Sequence, residues 1–377
     1  MNVSVIPGDL SSFVPAAEFP RCEIPRFRNG LIVRMPNHLG DAVMALPALA
    51  ALKTILPEHC GLFVISPAST AQLYHALNFV DDTISLASPH RFYNREELRE
   101  IRQLRAGAAV LFNHSFRDAV SLKCAGIPLL YGEPTRMRSW LLAGKFPFPP
   151  RQKGQVSSTH QAMRYLAIAE ALGGTCPESV MPELCPPCPV DELSARVKDI
   201  LGHPLLLTIA PGAAYGAAKR WPHEYYAVVA NYWIRRGGIV ALVGAPSESG
   251  ICNMINAALP KKKCVNLCGK TSLYDLMQIF RFSAYALTND SGLMHLASAL
   301  RCPGMTVFGP TDFKDTAPVA NNWKLLYRGA PCSPCLKRVC PKGNAICMTQ
   351  VTPAMVIKEL RSSVRELKLP LGKYFHR

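Results

Sequence analysis

At 377 residues the chain is longer than a single hydrophobic core usually serves, so two domains are expected. Hydrophobic residues make up 49% and charged ones 18%, which excludes a largely disordered chain, and no apolar run reaches the roughly 18–20 residues needed to span a bilayer. The 42 Lys+Arg against 26 Asp+Glu give a net charge of +16, which suits nucleic acid, an anionic membrane surface or a phosphorylated substrate.

The opening MNVSVIPGDLSSFVP has no basic stretch followed by an apolar one, so a cytosolic location is expected. The 14 cysteines then read mostly as reduced thiols. Residues 1–29 form a leader without an assigned role. The first strand-like run is Leu31–Met35, followed by helical spacing from Asp41 to Lys53. Further strand-then-helix units follow at Leu62–Ile65 with Ser69–Leu77, and at Ala108–Phe112 with Phe116–Cys124. Such alternation implies a parallel sheet with right-handed crossovers, here over residues 30–180.

Arg136-Met-Arg138-Ser-Trp140 and the stretch on to Lys153 interleave cations with large apolar residues. They read either as a segment lying on lipid headgroups or as a helix that buries its apolar side and solvates its charges. Proline is dense from Thr175 to Val190, and residues 181–190 are the expected linker, with the CxxC of Cys185 and Cys188 read as linker chemistry. Beyond it strand-like runs recur at Leu205–Ala210, Gly238–Val243, Tyr285–Thr288 and Met305–Phe308, so residues 191–377 form a second parallel-sheet domain. A polar stretch, Ala354 to Lys368, reads as a surface helix. Two Rossmann-like halves leave a cleft faced by the carboxyl ends of their strands, where ligands bind in open α/β sheets.

Three strand-to-helix turns carry chemistry. Pro211-Gly212-Ala-Ala-Tyr-Gly-Ala-Ala-Lys219-Arg220-Trp-Pro222 offers small residues, a helix start and two cations, the makings of a diphosphate cradle; the alternative is a plain Gly/Ala loop with solvated cations. In Asn289-Asp290-Ser291-Gly292-Leu293, either Asp290 or Ser291 caps a helix, or the amides meet phosphate while Asp290 bonds a sugar hydroxyl. Two helix starts and a lysine stabilise a departing nucleoside diphosphate without a metal. In Asn37-His38-Leu39-Gly40-Asp41, Asp41 reads by spacing as a helix cap and by position as a general base, with His38 a competing base.

RMPNHLGDAVMALPALAALK, Ala210-Pro-Gly with Lys-Arg-Trp-Pro222, NDSGLMHLASAL and Val-Phe-Gly-Pro-Thr-Asp312 together resemble the ADP-heptose lipopolysaccharide heptosyltransferases of glycosyltransferase family 9. The resemblance covers about residues 30 to 360. It implies a GT-B fold, α/β with two Rossmann-like domains, and inverting transfer from ADP-heptose to a lipid A-linked, phosphorylated inner-core acceptor at the cytoplasmic face of the inner membrane, with no nucleic acid involved. It further implies Asp41 as base, Lys219, Asp290, Ser291, Gly292, Leu293, Gly212 and Glu248 on the donor, and Asn113, Arg117, Arg136 and Arg138 on the acceptor. Ser291 stands where Thr is commoner, and Asn37-His38 beside the base is unusual for the family.

Cys332, Cys335, Cys340 and Cys347 have a spacing that suits a structural tetrahedral zinc, or they are plain thiols; catalysis itself needs no cofactor. Two other classes compete with transfer. One is a sugar-nucleotide epimerase on the same scaffold; the other is a non-catalytic binder of anionic lipid or nucleic acid.

Overall fold

A computed structural model describes residues 4–8, 17–25, 27–135, 137–149, 159–176, 181–186, 193 and 195–367. The elements in chain order are β1 (Ser4–Gly8), β2 (Gly30–Arg34), α1 (Leu39–Met44), α2 (Leu46–Lys53), β3 (Gly61–Pro67), α3 (Ala68–His75), β4 (Asp82–Leu86), α4 (Arg95–Gln103), β5 (Ala108–Leu111), α5 (Phe116–Cys124), β6 (Leu129–Gly132), β7 (Gly144–Lys145) and α6 (Gln161–Ala171). They continue with α7 (Ala195–Leu201), β8 (Leu206–Ala210), α8 (His223–Ile234), β9 (Ile239–Leu242), α9 (Ser249–Ala257), β10 (Cys264–Asn266), α10 (Leu273–Phe282), β11 (Tyr285–Asn289), α11 (Gly292–Ala299), β12 (Gly304–Val307), α12 (Phe313–Thr316), β13 (Ala320–Tyr327), α13 (Ile346–Thr349) and α14 (Pro353–Glu366).

Two compact units result. The first, built from the described residues of 17–186, has a six-stranded parallel sheet ordered β4-β3-β2-β5-β6-β7. The second has the order β13-β12-β11-β8-β9-β10, all parallel. Numbered within each unit, both orders are 3-2-1-4-5-6, the doubly wound Rossmann arrangement, in which the chain reverses direction beside the first strand. The reversal lies between β2 and β5 in the first unit and between β8 and β11 in the second. Loops leaving those four strands are therefore where a ligand is expected.

The central strands are continuous apolar runs because both faces are covered. Leu31, Ile32 and Val33 of β2 and Leu207 and Ile209 of β8 have no exposed surface. Trp233 of α8 and Val356, Leu360 and Val364 of α14 belong to the same core cluster as β8, so the polar helix near the C-terminus covers the second sheet with one apolar face.

Three expectations change. The stretch Asp41–Lys53 is two helices, because Pro47 has no N–H to donate and its ring opposes the carbonyl of the preceding turn; α1 stops at Met44 and α2 restarts at Leu46. The leader contains β1, which pairs antiparallel with β13 as a seventh strand on the second sheet. A proline-bearing strand is tolerated at such an edge. Residues 181–186 pack on the first unit, where Cys185 N donates to Ala76 O at 2.7 Å and Leu184 is buried. Linker residues 187–190, Cys188 among them, lie outside the described residues, as does Arg136.

Candidate active site

In the second unit the loop after β8 is fastened to the end of β11 by one side chain. Asn289 is fully buried, and its Nδ2 donates to the carbonyls of Pro211 at 2.6 Å and Gly212 at 3.2 Å. Its Oδ1 accepts from Trp221 N at 3.1 Å and from the Tyr226 hydroxyl at 2.8 Å. Both ends of the 211–222 cradle thus hang on a single amide with donors and acceptors used. The sequence alone assigns Asn289 no role; the pairing of β8 with β11 reveals one.

Beside it Lys219, at the end of the short 3-10 turn Ala217–Lys219, reaches the next residue of the same strand end. Lys219 Nζ lies 2.6 Å from Asp290 Oδ2, and Thr311 Oγ1 donates to that oxygen, also at 2.6 Å. The lysine ammonium stands 4.7 Å from the ring centroid of Tyr215. Both charged groups are buried, so removing either would leave the other desolvated without its partner. Ser291 occupies the N-cap position of α11, but its hydroxyl makes no cap bond, and the Asp290 carboxylate is taken up by Lys219 and Thr311. Simple capping therefore does not account for this pair. Ser291, Gly292 and Leu293 are half-buried, whereas the helix is buried from Met294 to Ala299.

Gly212 and Glu248, far apart in sequence, meet. The buried Glu248 accepts from Ala245 N at 2.8 Å, and a Cβ built at Gly212 would stand 2.0 Å from its carboxyl carbon. Gly212 is a glycine because the carboxylate occupies that space. Gly212→Ala is accordingly expected to displace Glu248 at a stability cost of about 1–3 kcal/mol. A melting curve matching the parent chain would show that the two residues are not tied.

The cysteine loop leans on this cradle. Tyr215 OH donates to Leu336 O at 2.8 Å, and Ala218 N donates to Arg338 O at 3.0 Å. Cys332, Cys335, Cys340 and Cys347 line one cavity of about 30 Å³, and all four are unpaired. Backbone N–H groups of Ala345 and Lys342 lower the Cys340 thiol, while burial, then the neighbouring sulfurs, push Cys347 up to about 11. Among the described residues no group of three or more His, Cys, Asp or Glu is arranged to hold a metal ion.

In the first unit, Asp41 sits in the first turn of α1, half-buried. It is the third helical residue and not the cap. That position belongs to His38, which is exposed and makes no side-chain cap bond. Asp41 neighbours Tyr165 of α6, whose phenol is raised far above its ordinary range by burial, with the Asp41 charge adding to the effect. Asn113, after β5, donates to Asp118 Oδ2 and accepts from Ser115 N at 3.3 Å.

The expected acceptor residues divide. Arg117 is exposed. Arg138 is fully buried, with its Nε donating to Glu133 O at 2.9 Å, so in this structure it braces the segment after β6 rather than meeting solvent. His114 and Glu133 form a contact that sequence reading missed, Nε2 to Oε2 at 3.0 Å, with Arg164 on the other carboxylate oxygen at 3.5 Å. Burial pushes the Glu133 carboxyl up, but His114 and the charges of Arg164 and Arg138 outweigh it, and the net shift is downward.

Two Rossmann-ordered units in one chain, the second with a lysine-bearing cradle and a helix start at its switch point, are the GT-B architecture of nucleotide-sugar glycosyltransferases. A family model described as glycosyltransferase family 9 (heptosyltransferase) matches residues 97–346, and the chain belongs to that family. It is 29% identical over 346 residues to the lipooligosaccharide heptosyltransferase 2 of Campylobacter jejuni strain 81116, covering 88% of this chain and 98% of that protein. It is 28% identical over 345 residues to the lipopolysaccharide heptosyltransferase 2 of Escherichia coli K12, covering 88% and 97% respectively. The solved structure of E. coli ADP-heptose LPS heptosyltransferase II superposes with a TM-score of 0.72 at 25% identity, over 90% of this chain and 99% of that one. A family 9 glycosyltransferase of Veillonella parvula shares the fold with a TM-score of 0.76. The family match favours transfer over the epimerase reading.

Proposed function

We propose that the chain transfers heptose from ADP-heptose to the phosphorylated inner core of a lipid A-linked acceptor, with inversion at the anomeric carbon. The observation that carries the donor half is the buried Lys219–Asp290 pair beside the half-buried start of α11. An ADP diphosphate would meet a fixed ammonium and the Ser291-Gly292-Leu293 amides, both suited to the charge that develops as it leaves. Gly212 and Glu248 would border the adenosine. Asp41 would take the proton of the acceptor hydroxyl as that oxygen attacks the anomeric carbon and ADP departs, a single displacement. Arg117 and Asn113 would contribute on the acceptor side.

No helix among the described residues is long and apolar enough to cross a membrane. Met137 and Trp140 are 86% and 73% exposed, whereas Phe146 is buried, so the part of the 136–153 segment that would enter headgroups is narrower than its sequence suggests. Peripheral contact at the cytoplasmic face of the inner membrane is the location that fits such an acceptor.

The test is incubation of purified protein with ADP-heptose and deep-truncated lipopolysaccharide, with product anomers assigned by NMR. ADP release without a new glycosidic bond, or a product retaining the donor configuration, would overturn the reading. The catalytic step in it uses no metal. One zinc per chain in protein purified without chelators would establish a structural ion at Cys332, Cys335, Cys340 and Cys347; zinc-free protein that melts normally would leave them thiols.

A further inference from the structure

The loop that carries the proposed base is held by a buried charge network that neither sequence motif nor helix capping explains. Arg34, the last residue of β2, has no exposed surface, and neither has Asp118 of α5. Arg34 Nε lies 2.7 Å from Asp118 Oδ2, and the other two guanidinium nitrogens donate to Met35 O and, at 2.7 Å, to Asn37 Oδ1. Asp118 also receives Asn113 Nδ2, so this carboxylate joins the loops after β2 and β5 at the switch point. Burial keeps the neighbouring phenols of Tyr74 and Tyr93 neutral, well above their ordinary range, against the pull of the Arg34 charge.

A buried ion pair is weak evidence for stability, since apolar residues of similar volume do as well. What it adds here is direction. The connection from β2 to α1 spans only Met35–His38, and His38 gives α1 no side-chain cap. The start of the helix is therefore set from below, by a guanidinium gripping a carbonyl and a side chain of the connection. Asp41 lies one turn beyond that grip.

We propose that Arg34, through Asn37, is the positioning device for Asp41, with Asp118 fixing Arg34 in turn. This rests on the reading of Asp41 as the base. It gives Asn37 a task, namely to offer the guanidinium a side-chain oxygen beside the Met35 carbonyl that it also holds.

Asn37 is half-buried, so its replacement tests the idea without opening the core. Asn37→Ala is expected to lower kcat by about 100-fold, the scale of an ångström-sized misplacement, with donor KM and melting temperature little changed. Asn37→Asp, which keeps an oxygen for Arg34, is expected to recover most of that loss. Wild-type turnover in Asn37→Ala would overturn the proposal. So would equal loss in both variants at unchanged melting temperature, which would make Asn37 a direct substrate contact. Asp41→Asn measured alongside separates the two readings: if it stays active, the base assignment fails; if it is inactive while Asn37→Ala is normal, only the positioning role fails.

Discussion

Asp41→Asn is expected to lower kcat by about 10²–10⁴-fold, the range a positioned general base contributes. The substitution keeps the side chain's shape and the helix, because the backbone bond from Ala45 N to Asp41 O is untouched. Affinity for ADP should stay within about twofold, since the groups assigned to the nucleotide lie in the other unit. The loss should not be rescued by raising donor concentration. A variant that turns over at the parent rate would return Asp41 to an ordinary first-turn carboxylate, favourable to the helix dipole and nothing more. Exposed His38 would then be the residue to replace next.

Lys219→Ala is expected to act on both binding and stability, and the two can be separated. It leaves Asp290 buried with only hydroxyl partners, Thr311 Oγ1 at 2.6 Å and Thr316 Oγ1 at 3.5 Å. Breaking one side of such a pair costs about 3–5 kcal/mol. The double variant Lys219→Met with Asp290→Asn removes both charges together and should recover most of that stability. Donor affinity and kcat should remain low in it, because the departing diphosphate has lost its cation. Calorimetric ADP titration and thermal melting of both variants decide the matter. If the double variant binds ADP as the parent does, the pair is a structural brace and the cradle reading falls.

The Rossmann alternation was legible because central parallel strands are buried on both faces and read as short apolar runs, as at Leu31–Val33 and Leu206–Ala210. Edge elements escaped for the converse reason. β4, Asp82–Leu86, has only two buried residues of five, and α4 is polar enough to hide its helical face, although Asn94 and Glu97 form a capping box that the spacing Asn-x-x-Glu announces. β1 could not be anticipated at all, since its partner is β13, more than 300 residues away.

By itself the sequence determined the class of fold and the strand-to-helix turns that carry residues 211–222 and the carboxylate at position 41, because these depend on local order: apolar runs, small residues and a helix start after a strand. Tertiary structure decided the rest. Whether Lys219 meets Asp290, whether Glu248 fills the space over Gly212, and whether Arg34 meets Asp118 or faces solvent all depend on which strands lie side by side. Strand order is a non-local property, settled by how two faces of a sheet are covered, and no window of neighbouring residues contains it.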